Sequence, residues 1–327
     1  MNPRPTLLST NKFSAFLIAV AFAIGCASAN AAEPVKSAPR AKAVKVKAAG
    51  VADFTKDGNP NLLSQAVMVY DQTTGRPLFS KNADQAVPIA SITKLMTSIV
   101  VLDAKQSLDE PVVIDAADID VVKNSRSRLP VGTAFRREDL MRLALMASDN
   151  RAAAALGRSF SGGIEAFVLA MNTKAKVLGL TNTHFADSTG LSPLNVASAQ
   201  DLAVMVAESS KYAQIREFST APELYVTLPN SSRQLGFNNT NALVKSQSWN
   251  IGVSKTGFIN EAGKCLVMQA MIGNNPVIIV LMDSLGKLTR IGDANRIKKW
   301  IESGKMASSP TPPPSLPSAA KVIVKNI

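Results

Sequence analysis

The sequence predicts an α+β fold: an antiparallel sheet built from both chain ends and flanked by helices, with a mostly helical lobe inserted between its halves. Three observations lead there. Strand-like runs come early, in "LLSQAVMVYD" and "PLFSKN". The middle of the chain then repeats apolar residues at three- and four-residue steps. Strand signals return late, in "ELYVTLP", "WNIGVSKTGF", "KCLVMQAMI" and "PVIIVLMD". Period two at both ends and period 3.6 between them is the pattern of a sheet closed by distant segments.

The first two strand runs flank "QTTGR", which reads as a hairpin turn. A helix is expected from near Ser91 to about Ala104. Four helical stretches follow, "REDLMRLALMAS", "RAAAALGRSF", "GIEAFVLAMNTKAKVLG" and "SAQDLAVMVAESS", the last opening on Ser198 and Asp201 in a capping-box-like pattern. "GNN" supplies the turn between the last two strands. "DANRIKKWIES" is a closing helix that ends at Gly304.

The chain has 327 residues and a formal net charge of +12, which first points to an acidic partner. The distribution of that charge argues otherwise. Residues 1–48 and 305–327 hold ten of the 36 Lys and Arg but only Glu33 of the 24 acids, leaving 26 basic and 23 acidic residues between them, a net of +3. A nucleic-acid-binding domain concentrates basicity on its folded part, so nucleic acid is not expected as a partner.

Residues 1–31 read as a secretory signal peptide: Arg4 and Lys12, the apolar "FSAFLIAVAFAIG", then small residues with cleavage near Ala29 or Ala31. "AIGC" also resembles a lipoprotein box with Cys26 as the lipidated residue, though Ala23 stands where Leu is usual. Residues 32–49 form a basic linker without apolar periodicity, and 305–327 a Pro-rich tail, leaving 50–304 as the folded domain. Export places the protein in the periplasm. After cleavage Cys265 has no partner, and its alternating, strand-like surroundings make it a small core residue. One His and one mature Cys cannot build a zinc site; neither metal nor cofactor is expected. His184 reads as a loop or core histidine.

The chemistry begins in "VPIASITKLMTSIVVLDA", where an apolar helix carries Lys94 one turn after Ser91. Taken alone, Ser91 is an N-cap and Lys94 a lysine that snorkels to water, and the same spacing recurs at Ser9 and Lys12. Burial among Ile92, Leu95, Met96, Ile99 and Val100 would instead depress the amine's pKa, so that a neutral Lys94 could take the Ser91 proton. Two further stretches favour the second reading. "ALMASDNRAAA" sets Ser148 and Asn150 at a junction between helices. "NIGVSKTGF" sets Lys255, Thr256 and Gly257 on a late strand, with a glycine where another backbone can lie close. Ser-x-x-Lys, Ser-x-Asn and Lys-Thr-Gly in this order are the set found in penicillin-binding proteins and class A β-lactamases.

On those motifs, together with "SDNRAAAALGR", "AMNTKAKVLGL", "DSTGLS" and "GKCLVM", the chain from about 62 to 304 resembles the low-molecular-mass penicillin-binding proteins of the D-alanyl-D-alanine carboxypeptidase family, and within it the D-alanyl-D-alanine endopeptidase type, penicillin-binding protein 7. The resemblance implies the β-lactamase/DD-peptidase fold and a serine peptidase of peptidoglycan. Ser91 would carry the acyl group, Lys94 would take its proton, and Ser148 would relay a proton to the leaving amine. Asn150 would hold Lys94 and a substrate amide. Lys255 and Thr256 would bind the carboxylate beside the scissile bond, with substrate lying along the Gly257 strand. The oxyanion would sit between the backbone N–H groups of Ser91 and Phe258, a device worth about 10²–10³ in rate per donor. Partners implied are peptidoglycan stem peptides and cross-links, with β-lactams as covalent inhibitors.

Terminal D-Ala release and cleavage of the D-Ala–diaminopimelate cross-link both leave an amine on a D-centre beside a carboxylate. The choice of endopeptidase therefore rests on the resemblance. A β-lactamase is a rival within the fold, but Leu191 occupies the place where class A enzymes carry the deacylating Glu. Asp187, in "DSTGLS", is expected to fix a loop. A non-catalytic penicillin-binding scaffold or receptor is the second alternative. Family carboxypeptidases often end in a β domain and an amphipathic anchor helix; the Pro-rich tail in that place predicts at most loose membrane contact.

Overall fold

The computed structural model describes residues 51–228 and 232–304. The signal peptide of 1–31 with Cys26, the linker of 32–49 and the tail of 305–327 lie outside the described residues.

Strands β1 (Ser64–Asp71) and β2 (Arg76–Lys81) form the expected hairpin. Asp71 Oδ1 accepts the backbone N–H groups of Thr73 and Thr74, and Gly75 takes the left-handed conformation that closes the turn. A short β3 (Val87–Pro88) leads into a 3-10 turn at Ala90–Ile92, which runs directly into α1 (Thr93–Asp103). The ribbon of β4 (Pro111–Val113) and β5 (Ala134–Arg136) precedes α2 (Arg137–Met146), α3 (Asn150–Arg158) and α4 (Gly163–Val177). β6 (Val196–Ala197) pairs with β3, and α5 (Ala199–Ser209) and α6 (Ala213–Thr220) complete the helical lobe. The ribbon of β7 (Glu223–Thr227) and β8 (Gln234–Asn238) then gives way to β9 (Asn250–Ile259), β10 (Gly263–Ile272), β11 (Asn275–Ser284) and α7 (Thr289–Glu302).

The main sheet has the order β2-β1-β11-β10-β9, antiparallel at every pairing. The seam between β1 and β11, which runs from Ser64–Ser284 to Asp71–Val277, joins the two ends of the domain as expected. Both faces are covered, and residue parity decides which core each side chain enters. Ala66, Met68, Val267, Ile278, Val280 and Met282 face the larger core, which the helical lobe fills. Val67, Val69, Leu266, Met268, Ile279 and Leu281 face a second core with Ala294 and Ile297 of α7. The Trp300 ring of α7 packs edge-on to Phe79 at 6.2 Å.

Three expectations are corrected. "ELYVTLP" does not join the main sheet: β7 alternates exposed Glu223, Tyr225 and Thr227 with half-buried residues, so it has one face to cover and pairs only with β8. The capping box at α5 is half-formed. Ser198 Oγ accepts the Asp201 N–H at 3.1 Å, whereas the Asp201 carboxylate turns to Asn182 N and Thr183 Oγ1, both at 2.8 Å. Helix α7 starts at Thr289, four residues before the expected start at Asp293, which lies inside the helix. That carboxylate is fully buried and accepts from Ser64 N at 2.8 Å, Ser64 Oγ at 2.6 Å and Leu63 N at 3.1 Å, pinning α7 to the start of β1. Six elements had no sequence signal assigned to them: α6, eight residues with Ile215 and Phe218 buried, β8, and the two- and three-residue strands β3, β4, β5 and β6.

Candidate active site

β9 is an edge strand of the main sheet, and its free edge faces the 3-10 turn that opens α1. The approach is close. A Cβ on Gly257 would lie 2.8 Å from the Ile89 carbonyl oxygen and 3.3 Å from Ser91 N, so only glycine lets the strand come this near. From the other side a Cβ on Gly190 would meet the Ala90 carbonyl oxygen at 2.0 Å. Ala90 itself holds a positive φ of 48°, and Ser148 one of 58°. Such backbone costs on the order of 1–3 kcal/mol at each residue, and here it presents two motif serines.

Lys94 is fully buried on α1, so the snorkelling alternative does not hold. Its Nζ lies 2.8 Å from Ser91 Oγ, 2.7 Å from Asn150 Oδ1 and 2.6 Å from the Thr189 carbonyl. Loss of hydration pushes its pKa down to about 7, against the opposing pull of Asp187, Asp149 and Asp120. Asn150 is oriented in turn, with its Nδ2 donating to Ser125 Oγ at 2.7 Å while Ser125 Oγ donates to Asp120. Two of the three Lys94 partners are oxygens that can only accept. A neutral amine spends its two N–H bonds on Asn150 and Thr189, which leaves the lone pair facing the Ser91 hydroxyl.

Asp187 fixes the loop that supplies the Thr189 carbonyl, as the sequence led us to expect. Its carboxylate accepts from Thr189 N, Thr189 Oγ1, Gly190 N, Ser192 N and Asn195 Nδ2, at 2.6–3.0 Å. Leu191 takes no part in that carboxylate network; its N–H donates to Thr189 Oγ1.

On β9, Lys255 is buried and its Nζ donates to the Thr256 carbonyl at 2.9 Å. Burial holds its pKa well below the usual lysine range, and the charges of Lys94 and Arg290 push the same way. The Thr256 hydroxyl donates to Thr240 Oγ1 at 2.7 Å, and the Phe258 side chain is exposed. Ser148 lies on the junction between α2 and α3, in a cleft it shares with Asn150.

All eight residues singled out in the sequence thus fall on elements that meet here: Ser91 and Lys94 at the start of α1, Ser148 and Asn150 at the start of α3, and Lys255 to Phe258 on β9. Thr189, Ser125, Thr240 and Arg290 were missed. Thr189 acts through a backbone carbonyl, which no residue type announces. Arg290 opens α7, and its Nε is buried with no hydrogen-bond partner among the described residues. Two other residues lie apart from this chemistry. Cys265 is a core thiol whose pKa burial raises to about 11, and His184 sits on an exposed loop that bridges Val196 through its backbone. Among the described residues no three His, Cys, Asp or Glu side chains gather as a metal would require.

The family model described as D-alanyl-D-alanine carboxypeptidase matches residues 53–286. A D-alanyl-D-alanine endopeptidase of Pseudomonas aeruginosa is 46% identical over 249 residues, 76% of this chain and 80% of that protein. A D-alanyl-D-alanine endopeptidase of Escherichia coli K12 is 44% identical over 262 residues, 80% of this chain and 84% of that one. Among solved structures, the Streptomyces K15 DD-transpeptidase superposes with a TM-score of 0.70 at 29% identity, covering 75% of this chain and 98% of its own.

Proposed function

This chain belongs to the D-alanyl-D-alanine carboxypeptidase family and is a serine DD-peptidase, and we propose that it cleaves D-Ala–diaminopimelate cross-links of peptidoglycan through an acyl-enzyme on Ser91. The observation that carries this reading is the buried Lys94 amine, 2.8 Å from Ser91 Oγ and held by Asn150 Oδ1 and the Thr189 carbonyl. Ser91 gives its proton to Lys94 as Oγ attacks the D-Ala carbonyl carbon. The oxyanion that forms is held by the backbone N–H groups of Ser91 and Phe258. The proton passes by way of Ser148 to the leaving amine as the C–N bond breaks, and water then hydrolyses the ester.

Substrate lies along the free edge of β9 as an added strand, with its scissile-side carboxylate drawn to the Arg290 guanidinium and hydrogen-bonded by the Lys255 amine and the Thr256 hydroxyl; an arriving carboxylate favours the protonated form that burial opposes in the free protein. The preference for cross-links over terminal D-Ala follows the endopeptidase relatives. Residues 1–31 direct export to the periplasm, where the substrate is, with 32–49 as a tether and 305–327 as a tail. β-Lactams acylate the same Ser91.

Mass spectrometry of muropeptides after digestion of isolated cell wall tests this. Cross-linked dimers are expected to fall, and Ser91→Ala to abolish that loss. Loss of terminal D-Ala with dimers intact would make the enzyme a carboxypeptidase, and rapid nitrocefin turnover would make it a β-lactamase.

A further inference from the structure

Residues 125–128 read Ser-Arg-Ser-Arg, and the structure sorts them by parity. Ser125 and Ser127 turn inward, to Asp120 with Asn150 and to Asp149 respectively. Arg126 and Arg128 are exposed, and both line the cleft that contains Ser148, Asn150, Phe237 and Asn238. The Arg128 guanidinium rests 4.1 Å from the centroid of the Phe237 ring, which holds it over an apolar floor.

Several arginines of the helical lobe are matched by carboxylates: Arg136 with Asp139, Arg142 with Glu217 and Arg158 with Asp118. Neither Arg126 nor Arg128 has a carboxylate at ion-pair distance among the described residues. The acid that shares their cleft, Asp149, already accepts from Ser127 Oγ at 2.8 Å and Ala152 N at 2.9 Å. Two uncompensated forks of N–H donors therefore face a concave surface next to the motif serine, where field lines concentrate.

We propose that Arg126 and Arg128 form an anion subsite that holds a carboxylate of the acyl-donor stem peptide. The inference rests on the DD-peptidase reading above and adds a second point of recognition to it. The carboxylate beside the scissile amine goes to the Lys255 side. The arginines line a cleft with Ser148 and Asn150 that neither Lys255 nor Thr256 lines, which assigns them a different anion. Donor stems offer two sources of the same chemistry: the α-carboxylate of a γ-linked glutamate and a carboxylate of diaminopimelate. A planar carboxylate matches the guanidinium fork in either case.

The test uses the full chain with three cross-linked synthetic peptides: donor stem as free acid, with the glutamate α-carboxylate amidated, and with the diaminopimelate carboxylate amidated. One amide is expected to lower kcat/KM by about five- to tenfold, the size of a paired but solvent-accessible ion contact, and to identify the carboxylate bound. The gap should narrow as salt is raised. In Arg126→Gln/Arg128→Gln it should shrink to below about twofold, with Arg128→Lys in the single background keeping part of it. Equal rates on all three peptides in the wild type would overturn the subsite, as would a full preference kept by the double variant; the wild-type comparison stands whether or not the variant folds. No cleavage of any peptide would instead remove the DD-peptidase reading, and the subsite with it.

Discussion

Lys94 carries a cost and a function for one reason, the absence of water around its amine. With a pKa of about 7 it is about half neutral at neutral pH, which an exposed lysine never is. The neutral form accepts the Ser91 proton, so the rate of acylation by penicillin should rise with pH through about 7 and level off above about 8. A flat profile across that range would count against Lys94 as the acceptor. Linkage gives the sign for stability. The unfolded chain binds this proton more tightly, so the buried amine weighs against folding most below pH 7, and that cost falls as the pH climbs toward the ordinary lysine value. Lys94→Ala removes a buried charge rather than stranding one, and is expected to keep the fold by circular dichroism while abolishing acylation. Gly257 and Gly190 matter for a plainer reason: each is the place where backbone must lie against the peptide that presents Ser91.

Helix α7 shows how one side chain positions an element. Asp293, fully buried, accepts from two backbone N–H groups and a hydroxyl at the start of β1 and pairs with Arg296. Asp293→Ala would leave the buried Ser64 N–H without its acceptor, while Ser64 Oγ keeps Ser284 Oγ, at an expected loss of about 1–3 kcal/mol in thermal or urea unfolding. A loss under about 0.5 kcal/mol would show that water replaces the carboxylate. The sequence marked most elements through periodicity, because β1, β9, β10, β11 and the longer helices each expose a repeating face to a core. It did not mark α6, too short to show a full repeat, or the first turn of α7, which begins at Thr289 ahead of the expected "DANRIKKWIES".

Across the whole molecule the sheet is the shared wall of two cores. Each of β1, β10 and β11 contributes alternate side chains to both. Neither core survives removal of the sheet, so the domain is expected to unfold as one unit. Trp249 and Trp300 report on the α7 side and penicillin labelling of Ser91 on the helical-lobe side, and their urea midpoints should coincide. A labelling midpoint well below the fluorescence midpoint would mean that the helical lobe opens first. The seam between β1 and β11 binds the ends of the domain together, and β9, at the far edge, receives α2 and α6 on its flank. That arrangement brings β9 against the turn that presents Ser91, while Lys94 links Ser91 to Asn150 at the start of α3.

The sequence alone determined the residue types and their order: a serine and a lysine one turn apart, a Ser-x-Asn at a helix junction, a Lys-Thr-Gly on a strand, and the periodicities that place them on those elements. These are local properties, set by backbone spacing. The tertiary structure alone decided that Lys94 is dry, that the Thr189 carbonyl and Asn150 absorb its N–H bonds, and that Arg126 and Arg128 line the cleft with no carboxylate paired to them among the described residues. Each of these depends on which distant surfaces exclude water and which charges they bring, and chain spacing does not encode that.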